Sequence, residues 1–217
     1  MMRHMYKSEL RKERSIAILK KQNIPYIEHL PVITDKHTSL PRSTEEVAYR
    51  AMVLQTVAVK AEGLEQEIVQ EIIHHYKLDS YFTRKEREFI YNNNIDETTR
   101  IQFLWKYESY WTLLWALGFV EQLEYPDKIC DVPLAVSLLS ERGAKQFLKE
   151  AKLRAQDEIL DQADLIYRYH WATRNNRIKG IEPPAGLDNS VIMERHYTLN
   201  WLIDERNTDW DDISTNT

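Results

Sequence analysis

Apolar residues recur at three- and four-residue intervals along most of the chain, the spacing of one face of an α-helix. Residues 8–23 read as a first helix, modestly amphipathic through Ile16 and Leu19. Pro25, Pro31 and Pro41 forbid a continuous helix over 24–42. An extended segment is expected there, lying on the helices around Leu30 to Ile33. Ser43-Thr-Glu-Glu46 has the form of a capping box, the hydroxyl taking one free amide and Glu46 reaching back to another. It opens a helix to about Glu62, which Gly63 ends or kinks, and a second helix follows to about Lys77. Thr83-Arg-Lys-Glu86 repeats the device before a short helix to Tyr91, and Asn92, Asn93 and Asn94 make a turn.

Asp96 then caps the most informative segment, roughly 97–117. Ile101, Phe103, Leu104, Trp105, Trp111, Leu113, Leu114, Trp115 and Leu117 cover most of its sides, and a helix apolar nearly all round is a central one. Gly118 stops it. Asp131 caps a helix with Pro133 in its first turn, running to about Arg142. A short helix over 143–153 and two longer ones, about 156–178 and 189–205, complete the chain. The tail from Asn207 is polar except for Trp210 and Ile213, which would dock it. The expected fold is all-α: one globular domain of about eight to ten helices around the Trp-rich helix 97–117, with a short extended segment near 25–40. Residues 1–40 form a basic N-terminal helix and extended segment, and 41–217 the main all-α domain.

Composition supports this and narrows the function. Only 5 of 217 residues are Gly, too few for a hairpin-rich β fold. One Cys allows no intrachain disulfide and no multi-cysteine zinc site. A net charge of -5 disfavours nucleic acid and anionic membrane surfaces as partners. The longest apolar run, Leu113 to Val120, is far short of the roughly 20 residues of a membrane span. MMRHMYKSELRKERS lacks the apolar core of a signal peptide, so a cytoplasmic location is expected. Charge is uneven. Arg3 to Lys21 holds seven basic and two acidic residues, and Glu182 to Thr217 eight acidic and two basic. The two ends are expected to attract, with Asp209, Asp211 and Asp212 contributing from the tail.

Helical spacing also puts polar groups on apolar faces. Glu108 has Leu104, Trp105, Trp111 and Thr112 one turn away, so its carboxylate needs a cation. Arg50, among Val47, Val53 and Leu54, is the candidate partner. His170 follows Ile166 and Tyr167 by one turn and precedes Arg174, and His196 lies between Ile192 and Leu199. With Glu194 and Arg195 beside His196, and Arg168 four residues after Asp164, two helices could build a cationic pocket for a small anion. A His pair with a carboxylate could also do acid–base work near neutral pH. Against this stand a hydrogen-bonded core histidine and a local Asp164–Arg168 ion pair.

Metal and nucleophile signals are thin. A di-metal bundle needs two Glu-x-x-His pairs, and Glu71-Ile-Ile-His74 is single. His170 and His196 with one carboxylate are the remaining metal candidates, and no metal or other cofactor is expected. Cys130, just before the Asp131 cap, could have its thiol pKa lowered by the helix N-terminus and raised by the aspartate, and otherwise reads as a small buried hydrophobe. G-x-S-x-G, Walker and G-x-G-x-x-G motifs are lacking.

Six separated strings carry a resemblance: EEVAYRAMVL (45–54), WKYESYWTLLWALG (105–118), CDVP (130–133), EILDQADLIYRYHWA (158–172), GLDNSVIMERHYTLNWL (186–202) and WDDISTNT (210–217). In this order they resemble a bacterial family catalogued as a domain of unknown function, number 4272 in that series, over roughly 40–217. The resemblance implies that Arg50, Glu108, Asp164, Arg168, His170, Glu194, Arg195, His196, Asn200, Trp201, Trp210 and Asp211 match positions of the family pattern, as do Trp111, Asp131 and Trp171. It implies no activity, cofactor or partner.

Two classes stay open. One is a non-catalytic interaction module with a basic protein partner, a neutraliser of another protein included. The other is an enzyme, a hydrolase of phosphate or acyl groups, or a small-anion binder, using Arg50, Glu108, Arg168, His170, Glu194, Arg195 and His196.

Overall fold

A computed structural model describes residues 7–33 and 41–217. Its helices are α1 (Lys7–Lys21), α2 (Thr44–Glu62), α3 (Gln66–Tyr76), α4 (Arg84–Ile90), α5 (Glu97–Leu104), α6 (Lys106–Ala116), α7 (Val132–Ser140), α8 (Gly143–Glu150), α9 (Gln156–Ile178) and α10 (Asn189–Ile203). No strand occurs among the described residues, and one hydrophobic core runs from Leu19 to Trp210. The all-α single-domain expectation therefore holds. Among the described residues no helix is long and apolar enough to cross a membrane.

The helix starts follow their caps. Thr83 and Glu86 form the full reciprocal box at α4, and Asp96 and Asp131 accept the amides of Thr99 and Leu134. At Ser43 only half of the box forms: its hydroxyl takes the Glu46 amide at 3.1 Å, while the Glu46 carboxylate turns to Arg42 at 2.7 Å. A charge-assisted bond to a guanidinium outcompetes a neutral amide. Gly63 ends α2 in the left-handed conformation, as expected.

The expected helix 97–117 is two helices. At Trp105 the chain tightens, Glu108 N–H bonding the Trp105 carbonyl three residues back at 3.0 Å. The segments on either side differ in burial, which a single amphipathic pattern hides. α5 has no buried residue, whereas every residue of α6 from Tyr107 to Ala116 is buried. The central helix is thus α6, packed against α2 on one side and α10 on another. Its C-terminal carbonyls are closed by residues 152–154: Lys152 and Arg154 donate backbone N–H to Leu117 and Ala116, and Arg154 Nε reaches the Trp115 carbonyl at 2.7 Å.

α9 and α10 pack on each other, and α1 lies on α9. The basic face of α1 is compensated there. Lys7 pairs with Asp157 at 3.3 Å, and Arg11 and Arg14 pair with Asp161 at 3.1 and 2.6 Å. The expected attraction between α1 and the acidic tail is therefore corrected: the ion pairs described for α1 run to the start of α9. The tail's Asp211 instead accepts the Lys85 amide at the start of α4 (3.1 Å), where free amides favour a carboxylate. Residues 24–33 form no helix or strand, with Leu30 buried and the Ile33 and Pro31 carbonyls taken by Arg11 and Arg168. The rest of the expected extended segment, 34–40, and residues 1–6 lie outside the described residues. The tail docks as expected: Trp210 is 5% exposed, set edge-on against Tyr197 and Trp201.

Candidate functional site

The seven residues singled out by spacing are distributed among separate, largely closed pairs. Arg50 does not meet Glu108. It gives Nη2 to both oxygens of Glu86 at 2.6 Å and lies over the Trp210 ring at 5.0 Å. The reason is that Glu86, the third residue of α4, turns its carboxylate inward, where it serves both the Thr83 amide and the guanidinium. Glu108, fully buried, faces α10 instead. Its Oε1 accepts from Arg195 Nε at 2.7 Å and its Oε2 from the Cys130 amide at 2.8 Å. Glu194 accepts from Lys106 Nζ at 2.9 Å and from the Ser109 hydroxyl at 2.6 Å. Arg168 and Asp164 make a bidentate local pair, 2.8 Å at each contact.

Among the seven, Glu108 meets Arg195, and His170 meets His196, Nδ1 to Nδ1 at 2.7 Å. The tautomers follow from the neighbours. Asn200 Nδ2 donates to the Ser214 carbonyl at 2.8 Å and faces His196 Nε2 at 3.1 Å. His196 Nε2 is therefore the acceptor, its proton sits on Nδ1, and that proton is donated to His170 Nδ1. Both rings are neutral in this arrangement. Burial, and secondarily the Arg174 and Arg177 charges, push His170 down to about 4. Burial, and secondarily His170, push His196 down to about 3. The pair is a hydrogen-bonded element of the α9–α10 interface.

Cys130 is also withdrawn from chemistry. Burial and then the Glu108 carboxylate push its thiol well above the ordinary range, outweighing any helix N-terminal effect. Its Sγ lies 3.6 Å from the Tyr107 carbonyl. His74 and His75, near Glu71, are exposed on α3. Among the described residues no three His, Cys, Asp or Glu side chains gather as a metal site would require.

A wider concavity lies elsewhere. A cleft of about 700 Å3 opens between α4, α5, the start of α6, α10 and the tail. Phe89, Phe103, Trp105, Met193, Trp210 and Ile213 give it apolar walls. Around them stand five carboxylates, Glu86, Glu88, Asp96, Glu194 and Asp211, against two ammonium groups, Lys85 and Lys106. Of the seven predicted residues only Glu194 lines this cleft, with Arg50 behind it through Glu86. Met193 is an apolar side chain 46% exposed on a helix whose neighbours Ile192 and Glu194 are buried.

A family model described as a domain of unknown function (DUF4272) matches residues 11–213, beginning within α1 and reaching the tail. No curated protein and no solved structure matches the chain.

Proposed function

We propose that this chain, which belongs to the DUF4272 family of unknown function, is a non-catalytic binding module whose cleft receives a basic, apolar segment of another protein. The cleft itself carries the reading. It combines aromatic walls with carboxylates of which Glu86, Glu88 and Glu194 are paired with Arg50, Arg84 and Lys106, so that Asp96 and Asp211 are the ones left to complement a peptide bearing Lys or Arg beside large apolar groups. An acidic chain of net charge -5 suits the same partner. Met193 and Trp105 offer the kind of adaptable and aromatic surface that anchors such segments. The enzymatic alternative has less support, because the Arg, His and Glu side chains it needs are spent on one another. Location in the cytoplasm belongs to the same proposal.

The test is a titration of the full chain with an amphipathic dodecapeptide of alternating Leu and Arg, followed by tryptophan fluorescence, to which Trp105 and Trp210 in the cleft contribute. Saturable binding is expected. Met193→Glu, an exposed position, should weaken it by placing a charge on the apolar wall. Glu88→Lys with Asp96→Lys should weaken it about tenfold, since an exposed charge pair contributes up to about 1 kcal/mol. Equal binding of the Leu/Glu peptide, or no binding of either, would contradict the reading.

A further inference from the structure

A second and smaller cavity, about 180 Å3, lies between α1, α9, α10 and the loop around Tyr125. We infer that it is a binding site for a ring-sized, uncharged molecule carrying a carbonyl-type oxygen, which Arg195 and Gln22 receive.

Arg195 is 4% exposed and lines the cavity. Its Nε is committed to Glu108 at 2.7 Å and its Nη1 to the Glu124 carbonyl at 2.5 Å. A guanidinium has five N–H donors, and among the described residues Nη2 finds no acceptor. Nη2 is not among the fully enclosed nitrogens left without a partner, so it reaches the open space that Arg195 lines, where a ligand oxygen can take the place of water. The group is also held still. Glu108, which orients it, is itself pinned by the Cys130 amide at 2.8 Å. Gln22 supplies a second donor. Its Oε1 accepts from the Tyr169 hydroxyl at 2.6 Å, which leaves its amide NH2 for the space it lines.

Ile18, Leu165, Ile166 and Leu199 give it an apolar wall, and Gln162 adds a further polar group. A few convergent polar groups against an apolar wall are the usual composition of a small-molecule site. Volume sets the size. A cavity of about 150 Å3 holds benzene, so this one takes a ring with a short polar group. Charge sets the polarity. The positive charge of Arg195 is cancelled by Glu108 in direct contact, and the Glu124 side chain also lines the space. A free carboxylate or phosphate would meet no net positive field, whereas a neutral carbonyl oxygen needs only the donors.

Calorimetric titration of the full chain with benzamide, benzoate and benzylamine tests this. Benzamide should bind, with benzoate at least tenfold weaker and benzylamine giving no saturable heat. Leu165→Trp, which fills the cavity, should abolish benzamide binding. Arg195→Lys keeps the charge beside Glu108 and removes the extra donor, and should weaken binding about tenfold or more. Circular dichroism checks that both variants fold, and Gln22→Leu gives an independent weakening if Arg195→Lys does not. Absence of benzamide binding at about 10 mM, benzoate binding as tightly as benzamide, or binding unchanged in Leu165→Trp would each overturn the inference. The dodecapeptide titration is a separate measurement at the larger cleft, so either reading can fail alone.

Discussion

Lowering the pH from about 7 to about 5 should destabilise the protein through the His170–His196 contact by an amount the structure allows to be worked out. Both rings are neutral when folded, with values pushed down to about 4 and about 3. In the unfolded chain each returns to about 6.5. The unfolded state therefore takes up protons first as the pH falls. The stability is fully present well above 6.5, is lost as the pH falls through that value, and stops falling below the folded-state values. Each unit of separation is worth about 1.4 kcal/mol, so His196 alone loses about 2 kcal/mol between pH 7 and pH 5. His170 is more open to solvent, and screening reduces its share to about 1 kcal/mol. The sum is about 3 kcal/mol, out of a total stability of about 5–15.

Urea unfolding at the two pH values, followed by tryptophan fluorescence, measures this in wild type and in His170→Asn/His196→Asn. Comparing each protein only with itself removes the baseline cost of the substitutions and the carboxylate contributions common to both. Wild type should lose about 3 kcal/mol more than the double variant on acidification. A difference within about 0.5 kcal/mol would refute the neutral, proton-wired contact deduced from Asn200 and Ser214.

Other consequences are checked more simply. A double-mutant cycle should give coupling between Arg50 and Glu86 and none between Arg50 and Glu108. Removing Arg195 alone should cost about 3–5 kcal/mol by stranding the buried Glu108 carboxylate, and Arg195→Met/Glu108→Met should recover much of it in thermal melts. Cys130 should alkylate with iodoacetamide about a hundredfold more slowly in the folded protein than in urea, because its thiol is held protonated. Gly118→Ala should cost about 1–2 kcal/mol from its φ of 81°. It should exceed Gly180→Ala, since only at Gly118 does the new methyl meet a backbone oxygen, that of Lys152 at 3.3 Å.

Helix starts were readable because a cap is a local device: Thr83, Asp96 and Asp131 each bond amides within three residues. The docking of Trp210 was readable from one large apolar group in a polar tail. The break at Trp105 was hidden, since apolar residues continue through it while burial changes from partial to complete. Partner choice was hidden for a different reason. Glu86 satisfied a local expectation as a capping residue, and nothing in its spacing announces that the same carboxylate also neutralises Arg50. The placement of His170 and His196 on facing helix sides was legible, but their Nδ1–Nδ1 contact depends on how α9 and α10 pack. The cleft was least legible. Its walls come from stretches as far apart as Lys85 and Thr215, and no single periodicity spans them.

Amide chemical-shift mapping of the full chain with the Leu/Arg dodecapeptide locates the peptide on the molecule. The perturbed amides should cluster at Phe103, Trp105, Met193, Tyr197 and Asp211. Perturbations centred instead on Asp164, Arg168 and His170, or none at saturating peptide, would contradict binding at the cleft.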